Sequence, residues 1–133
     1  MNAEKMYQTF NESTVNFVQD FSLVSKSSMF SIYPELLKSF VKTNPLVLQE
    51  KLNQYLFSKY STHIKERDNK FFLNQDFTND ISTGNEKMVM MIIDAIRKEW
   101  TNSTEETRDN IWKWLNVLLK LSNKIEIMKI KNA

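Results

Sequence analysis

The chain has 133 residues, a single glycine, no cysteine and a formal net charge of +2. Glycine is normally required where the backbone takes positive φ or closely approaches a phosphate. This composition therefore argues against β-hairpins, phosphate-binding loops and nucleotide-binding fingerprints. The lack of cysteine excludes disulfides, thiolate metal sites and a cysteine nucleophile. With 18 basic and 16 acidic residues, the charge is too balanced to indicate a nucleic-acid or membrane partner by itself.

The length is typical of one domain, and 41% hydrophobic residues are enough for a core. We expect a single helical domain over residues 1–133, built as an all-α bundle of about five helices. The N-terminal sequence has no basic segment followed by an apolar run, and no stretch approaches the roughly 18 uncharged apolar residues of a membrane span. We therefore expect an intracellular protein without a secretory leader or a membrane span.

Three helices are predicted in the N-terminal half. The first covers residues 3–26, and the second begins near Pro34, which suits a first helical turn. The third is predicted to take Asn44 as its N-cap and Pro45 as its first residue, and to continue to about residue 60. Spacings of three and four residues predict an inward stripe on the first helix and an inward face on the second. The stripe comprises Met6, Phe10, Phe17, Phe21 and Val24, and the face comprises Leu36, Leu37, Phe40 and Val41.

The periodicity weakens over residues 62–83, which we expect to be irregular apart from a short polar helix over residues 63–69. His63, the only histidine, lies among charged residues and is expected to be a solvated surface side chain. Residues 76–87 have oxygen-bearing side chains at the spacing of a calcium loop. However, Ile81 replaces the required glycine and Lys87 the required glutamate, so we favour a turn leading into a helix.

Two capping boxes introduce the last two helices, Thr83-x-x-Glu86 and Ser103-x-x-Glu106. The final helix is predicted from about residue 104 to 124 or beyond, and its apolar residues cover about half of its circumference. We therefore expect it to be the central helix of the bundle. Residues 126–133 partly alternate in polarity, so an extended tail stays open as an alternative to a helical ending.

Two candidate interaction surfaces emerge. If the last helix persists to its end, four lysines align within about 20° on one face, where they could meet phosphates or an acidic partner, although we favour a solvated face as the simpler explanation. Aromatic residues of the irregular segment would form a partner patch where they stay exposed. The candidate surface residues are Phe71, Phe72, Phe77, Lys113, Lys120, Lys124 and Lys131.

The residues suggest no catalytic site, metal site or cofactor. Carboxylates at 105, 106 and 109 could be imagined as a catalytic pair, but a helix N-terminus explains acids at these positions better. Methionines at 88, 90 and 91 are typical of an adaptable surface or of core filling, and we favour core filling.

Three segments carry a resemblance to a known group of proteins. They are residues 32–37 (IYPELL), residues 71–77 with their Phe-Phe-Leu and Asp-Phe pairs, and residues 107–115 (TRDNIWKWL). The combination resembles small helical proteins of nucleocytoplasmic large DNA viruses, over about residues 25–122. Tyr33 and Trp114 replace the phenylalanine and tyrosine that are usual there, and both keep an aromatic ring. The resemblance implies a viral origin and a helical fold but no mechanism.

We therefore expect a non-enzymatic viral interaction or structural protein, such as a virion component, that acts through protein–protein contacts. The alternative is a nucleic-acid-binding accessory protein of viral replication or transcription that uses the aligned lysines. Both expectations place it in the cytoplasm or nucleus of an infected cell, or in the virion.

Overall fold

A computed structural model describes residues 2–70 and 85–132, without the side chains at positions 29, 85, 86, 88 and 90. The described part is an all-α bundle without strands, as the composition predicted. Its helices in chain order are α1 (Ala3–Val24), a 3-10 turn (Ser28–Ile32), α2 (Tyr33–Thr43), α3 (Val47–Leu52), a π-helical segment (Asn53–Phe57), α4 (Ser58–Lys65), α5 (Asn85–Glu99), a 3-10 turn (Trp100–Asn102) and α6 (Glu105–Lys131).

The third predicted helix is longer and starts later than expected. The segments α3, π helix and α4 follow without a break, and the backbone bends at Tyr60, whose φ of −126° is not helical. The predicted cap at Asn44 is wrong: its side-chain nitrogen donates backwards to the carbonyl of Phe40 at 3.2 Å, and the helix begins at Val47. Helix α4 continues to Lys65, so the expected irregular segment does not begin at residue 62.

The core lies between α1, α6 and the bent helix formed by α3, the π segment and α4. Helix α6 packs mainly along α1 and also contacts α4 and the π segment, in agreement with its expected central position. Aromatic pairs join the helices: Phe17 of α1 stacks on Trp114 of α6 at 5.9 Å between centroids, and Trp100 meets Trp112 edge to face at 5.4 Å. Such pairs contribute about 1 kcal/mol each beyond the area they bury.

Three predicted core positions are wrong. Met91, for which core filling was expected, is 43% exposed on α5, and the other two lie at the edge of an apolar stripe. Val24 is 56% exposed because it is the last residue of α1, and Leu36 is 45% exposed because α2 turns its neighbour Leu37 inward. The other residues of both predicted faces are buried or half-buried. Helical period alone therefore located the core but not the limits of each face.

The predicted capping box of the last helix is displaced by one residue. Thr104, rather than Ser103, is the N-cap, and its hydroxyl accepts a hydrogen bond from the backbone N–H of Thr107 at 3.1 Å. Ser103 instead donates its hydroxyl to the carbonyl of Trp100 at 2.7 Å, which closes the preceding 3-10 turn. The box predicted at Thr83 lies outside the described residues, and so do Phe71, Phe72 and Phe77.

Candidate functional site: the exposed face of the last helix

Helix α6 carries the predicted lysines along one side. It is continuous from Glu105 to Lys131, so the predicted helical ending is confirmed and the alternative of an extended tail is wrong. The side facing the core buries seven residues: Ile111, Trp112, Leu115, Leu118, Leu119, Ser122 and Ile125. The opposite side exposes the four predicted lysines, Lys113, Lys120, Lys124 and Lys131. At 1.5 Å per residue their line extends over about 27 Å of helix axis.

The positive charge is concentrated in the C-terminal half of this face. Lys113 is bound by Asp109 at 3.2 Å, and the same carboxylate accepts a hydrogen bond from Arg67 at 2.6 Å. The hydrogen bonds from Lys113 and Arg67 lower the pKa of Asp109, so it stays charged and neutralises this end. Lys120, Lys124 and Lys131 form no ion pair with any other described residue. The sequence grouped all four lysines, but the structure leaves three available.

Apolar side chains interrupt the lysines on the same face. Val117 is 45% exposed and Ile127 is 52% exposed, while the neighbouring Ile130 is almost entirely in solvent. Single exposed apolar residues are ordinary on a protein surface, but Val117 and Ile127 lie within about 40° of the lysine line and form with it a patch of mixed chemistry, whereas Ile130 lies further round the helix. We name this surface the α6 face, defined as Lys113, Val117, Lys120, Lys124, Ile127 and Lys131.

A polar cluster that sequence reasoning missed joins α6 to α3. Gln49 is fully buried, and its side-chain nitrogen donates to Ser122 at 3.0 Å and to Glu126 at 2.9 Å. The ammonium group of Lys129 donates to the side-chain amide oxygen of Gln49 at 3.3 Å and pairs with Glu126 at 2.9 Å. The cluster fixes the register of α6 on α3 and removes Lys129 from the exposed lysines.

The cluster is electrostatically balanced. Burial would raise the pKa of Glu126, but hydrogen bonds from Lys129 and Gln49 outweigh it and lower that pKa. Burial would likewise lower the pKa of Lys129, while its bond to Glu126 and the nearby Tyr7 raise it overall. Both groups are therefore held charged around neutral pH, as suits a structural ion pair more than a proton-transfer site.

A wide groove lies elsewhere, between α1 and α2, with a cavity volume of about 960 Å³. Its floor includes Asn11, whose side-chain nitrogen donates to the carbonyl of Pro45 at 2.9 Å, while its buried oxygen has no hydrogen-bond partner among the described residues. The two sides of the groove carry opposite charges, Glu4 and Glu12 from α1 against Lys38 and Lys42 from α2. Because these charges balance, the groove lacks the single-sign field that distinguishes the α6 face.

His63 lies at the surface, as predicted, and its Nδ1 is 3.0 Å from a carboxylate oxygen of Asp68. That hydrogen bond lowers the pKa of Asp68. Within residues 2–70 and 85–132, no group of three or more histidine and acidic side chains is placed to hold a metal ion. No helix in this part of the chain is both long enough and apolar enough to cross a membrane.

Comparison of the chain with protein-family models, with curated proteins and with solved structures gives no match.

Proposed function

We propose that this protein is a non-enzymatic interaction protein and that it works through protein–protein contacts made by the α6 face. One observation carries the proposal: three lysines that form no ion pair with any described residue share one side of a continuous helix with exposed Val117 and Ile127. Fixed, mixed surfaces of this kind suit recognition, because little side-chain packing must change on binding. The resemblance to proteins of large DNA viruses extends the proposal to a viral protein, with the virus particle as its setting.

Chemistry elsewhere in the described chain supports a binding role over catalysis. His63, the only histidine, is held by Asp68 at the surface, and the most organised polar cluster is a balanced pair of Glu126 and Lys129 with Gln49. A general base works best with a pKa near the operating pH. The pKa values of Glu126 and Lys129 are shifted away from neutrality in opposite directions.

Affinity capture with charge-reversed variants tests the proposal. The test variant is Lys120→Glu with Lys124→Glu, and the matched control is Lys5→Glu with Lys65→Glu, two exposed lysines on α1 and α4. Captures from infected cells are compared by quantitative mass spectrometry, alongside the copy number of the protein in purified particles. We expect one partner to be lost from the test variant and kept by the control. Unchanged capture by both variants, or turnover of a defined substrate by the purified protein, would refute the proposal.

Nucleic-acid binding is the second proposal, because the lysines lie in one line over about 27 Å. It requires an affinity for DNA or RNA that falls steeply with salt, since bound lysines release condensed counterions. Filter binding at about 50 mM and 200 mM salt measures this slope. The absence of binding at the lower salt concentration would eliminate the proposal.

A further inference from the structure

The α6 face has the spacing of a helix-packing seam. Its six residues are separated by four, three, four, three and four positions, which is the alternation of the a and d positions in a coiled coil. All six point away from the core, because the buried residues of α6 occupy the opposite side. A second helix-packing stripe on the exposed side of α6 is not needed to fold this domain.

We propose that the α6 face binds an acidic amphipathic helix of another protein. This inference depends on the proposed function and specifies the partner's chemistry. Carboxylates of the partner would face Lys120, Lys124 and Lys131, and apolar side chains would face Val117 and Ile127. The seam extends over about 27 Å, so three heptads of partner helix cover it.

The flanks of the seam fit a packed helix on one side. The d positions of the seam are Lys113, Lys120 and Ile127. Each is followed directly by a half-buried apolar residue at the edge of the core: Trp114, Leu121 and Met128. On the other flank lie exposed Asn123, exposed Ile130 and half-buried Asn116, whose side-chain nitrogen donates to the carbonyls of Ile64 and Trp112. A partner helix leaning towards the half-buried apolar flank would extend the existing core outward.

Charge disfavours a second copy of this chain packed face to face on the same residues. In an antiparallel pair centred between positions 120 and 124, Lys113 would face Lys131, and Lys120 would face Lys124. A parallel pair would set each lysine against itself. Like charges placed opposite one another in a helical seam disfavour the pairing, so the partner must carry the opposite sign.

The order of residues around the helix disfavours a membrane surface or a nucleic-acid backbone. A helix lying on a membrane buries an apolar centre and keeps lysines at its edges, whereas here the lysines lie central and Val117 and Ile127 lie about 40° to either side. A phosphate backbone would leave these apolar side chains without partners and would meet Asp109 at the N-terminal end of the face.

A three-heptad peptide tests the inference with the full-length protein. The acidic peptide carries glutamate opposite each lysine and leucine opposite Val117 and Ile127. A scrambled peptide keeps the composition but loses the spacing, and a basic peptide replaces each glutamate with lysine. Binding is followed by fluorescence anisotropy of labelled peptide and by the emission of the three tryptophans, of which Trp114 flanks the seam. Circular dichroism confirms that each variant is folded.

We expect the acidic peptide to bind more tightly than its scrambled version, and Lys120→Glu with Lys124→Glu to weaken it by about tenfold or more. The same variant should gain affinity for the basic peptide, which a merely structural role would not produce. Substitution of Val117 and Ile127 by aspartate should also abolish binding, while Lys5→Glu with Lys65→Glu leaves it unchanged.

Three results would overturn the inference. They are equal affinity for the acidic and scrambled peptides, tighter binding to duplex DNA of the same length, or tighter binding to vesicles containing phosphatidylserine. These failures are distinguishable from failure of the proposed function. Suppose that one of these results is obtained, but that the wild type captures a partner which the Lys120→Glu, Lys124→Glu variant loses. The α6 face is then an interaction surface whose partner is not an acidic helix.

Discussion

The end of helix α4 offers a direct test of how this glycine-poor chain terminates its helices. Arg67 has a φ of 52°, in the left-handed region that glycine normally occupies after a helix. The N–H of Asp68 donates to the carbonyl of His63 at 3.0 Å, and that of Arg67 to Ile64 at 3.2 Å, which together form a Schellman ending. We predict that Arg67→Gly relieves the strain of a Cβ-bearing residue at this position.

The expected gain comes from two opposing contributions. A non-glycine residue in the left-handed region costs about 1 kcal/mol, which glycine recovers. The substitution also removes the ion pair between Arg67 and Asp109, whose side chains are nearly half exposed, and such pairs contribute between about 0 and 1 kcal/mol. The single variant should therefore change the free energy of unfolding by between about 0 and +1 kcal/mol. In an Asp109→Asn background, where the pair is already lost, the full gain of about 1 kcal/mol should appear.

Guanidinium denaturation followed by tryptophan fluorescence measures both effects in one double-mutant cycle. The control is Lys65→Gly, which places glycine in the last turn of α4, where the backbone is helical. It should destabilise the protein by about 1 kcal/mol. If Arg67→Gly is as destabilising as Lys65→Gly in the Asp109→Asn background, position 67 is not strained and the reasoning is wrong.

Three further predictions concern buried and half-buried polar side chains. Because the folded-state pKa of Glu126 is lowered, its pairing stabilises the fold above the usual value of 4.5 and is lost as pH falls through the lower folded pKa. Denaturation of wild type and Glu126→Gln from pH 7 to pH 3 should show a difference that narrows only below about pH 4.5, and a pH-independent difference would contradict this. Gln49→Leu should cost about 1–3 kcal/mol, because it leaves buried partners unsatisfied, whereas exposed Gln54→Leu should cost little. Asp94→Asn should cost about 2 kcal/mol in thermal or chemical unfolding, because buried Asp94 pairs with the mostly buried Arg97 at 2.9 Å; a neutral result would show that this pair adds no net stability.

Much of the fold was predictable because helical period is a local property. The final helix was recognised from its apolar residues, and continuation of the same period predicted a helix to its end, which the structure confirms at Lys131. The first residues of the helices were less predictable. Ser103 and Thr104 are both good N-caps, and the choice between them depends on Trp100, whose carbonyl accepts the hydroxyl of Ser103. A sequence-local rule does not include that competing hydrogen bond.

The polar core could not be predicted for a different reason. Gln49 and Asp94 have residue types that usually lie at the surface, and both are buried. Asp94 had a local signal, since basic residues follow at the third and fourth positions, where they can reach back along the helix. Gln49 had none, because its partner Ser122 is 73 residues away along the chain. Long-range polar pairs depend on the register of packed helices, which periodicity does not specify.

The aligned lysines were predictable as a line but not as a set of available charges. Period fixes which residues share a side, so Lys113, Lys120, Lys124 and Lys131 were grouped correctly from the sequence. The pairing of Lys113 with Asp109 follows from their four-residue spacing. The second ion pair of that carboxylate is formed with Arg67, which lies in another part of the fold. Which lysines remain unpaired therefore emerged only from tertiary structure.

Helix stability alone does not account for the positions of these charges. Cations near a helix C-terminus are favourable, but the effect is confined to the last turn, so it explains Lys131 and not Lys120 in the middle of α6. Solubility would explain exposed lysines, yet it gives no reason for Val117 and Ile127 to stand exposed between them at seam spacing. Each of these explanations accounts for lysines alone and leaves the exposed apolar residues of the α6 face unexplained. A partner helix with acidic and apolar residues at the matching spacing accounts for both the lysines and the apolar residues.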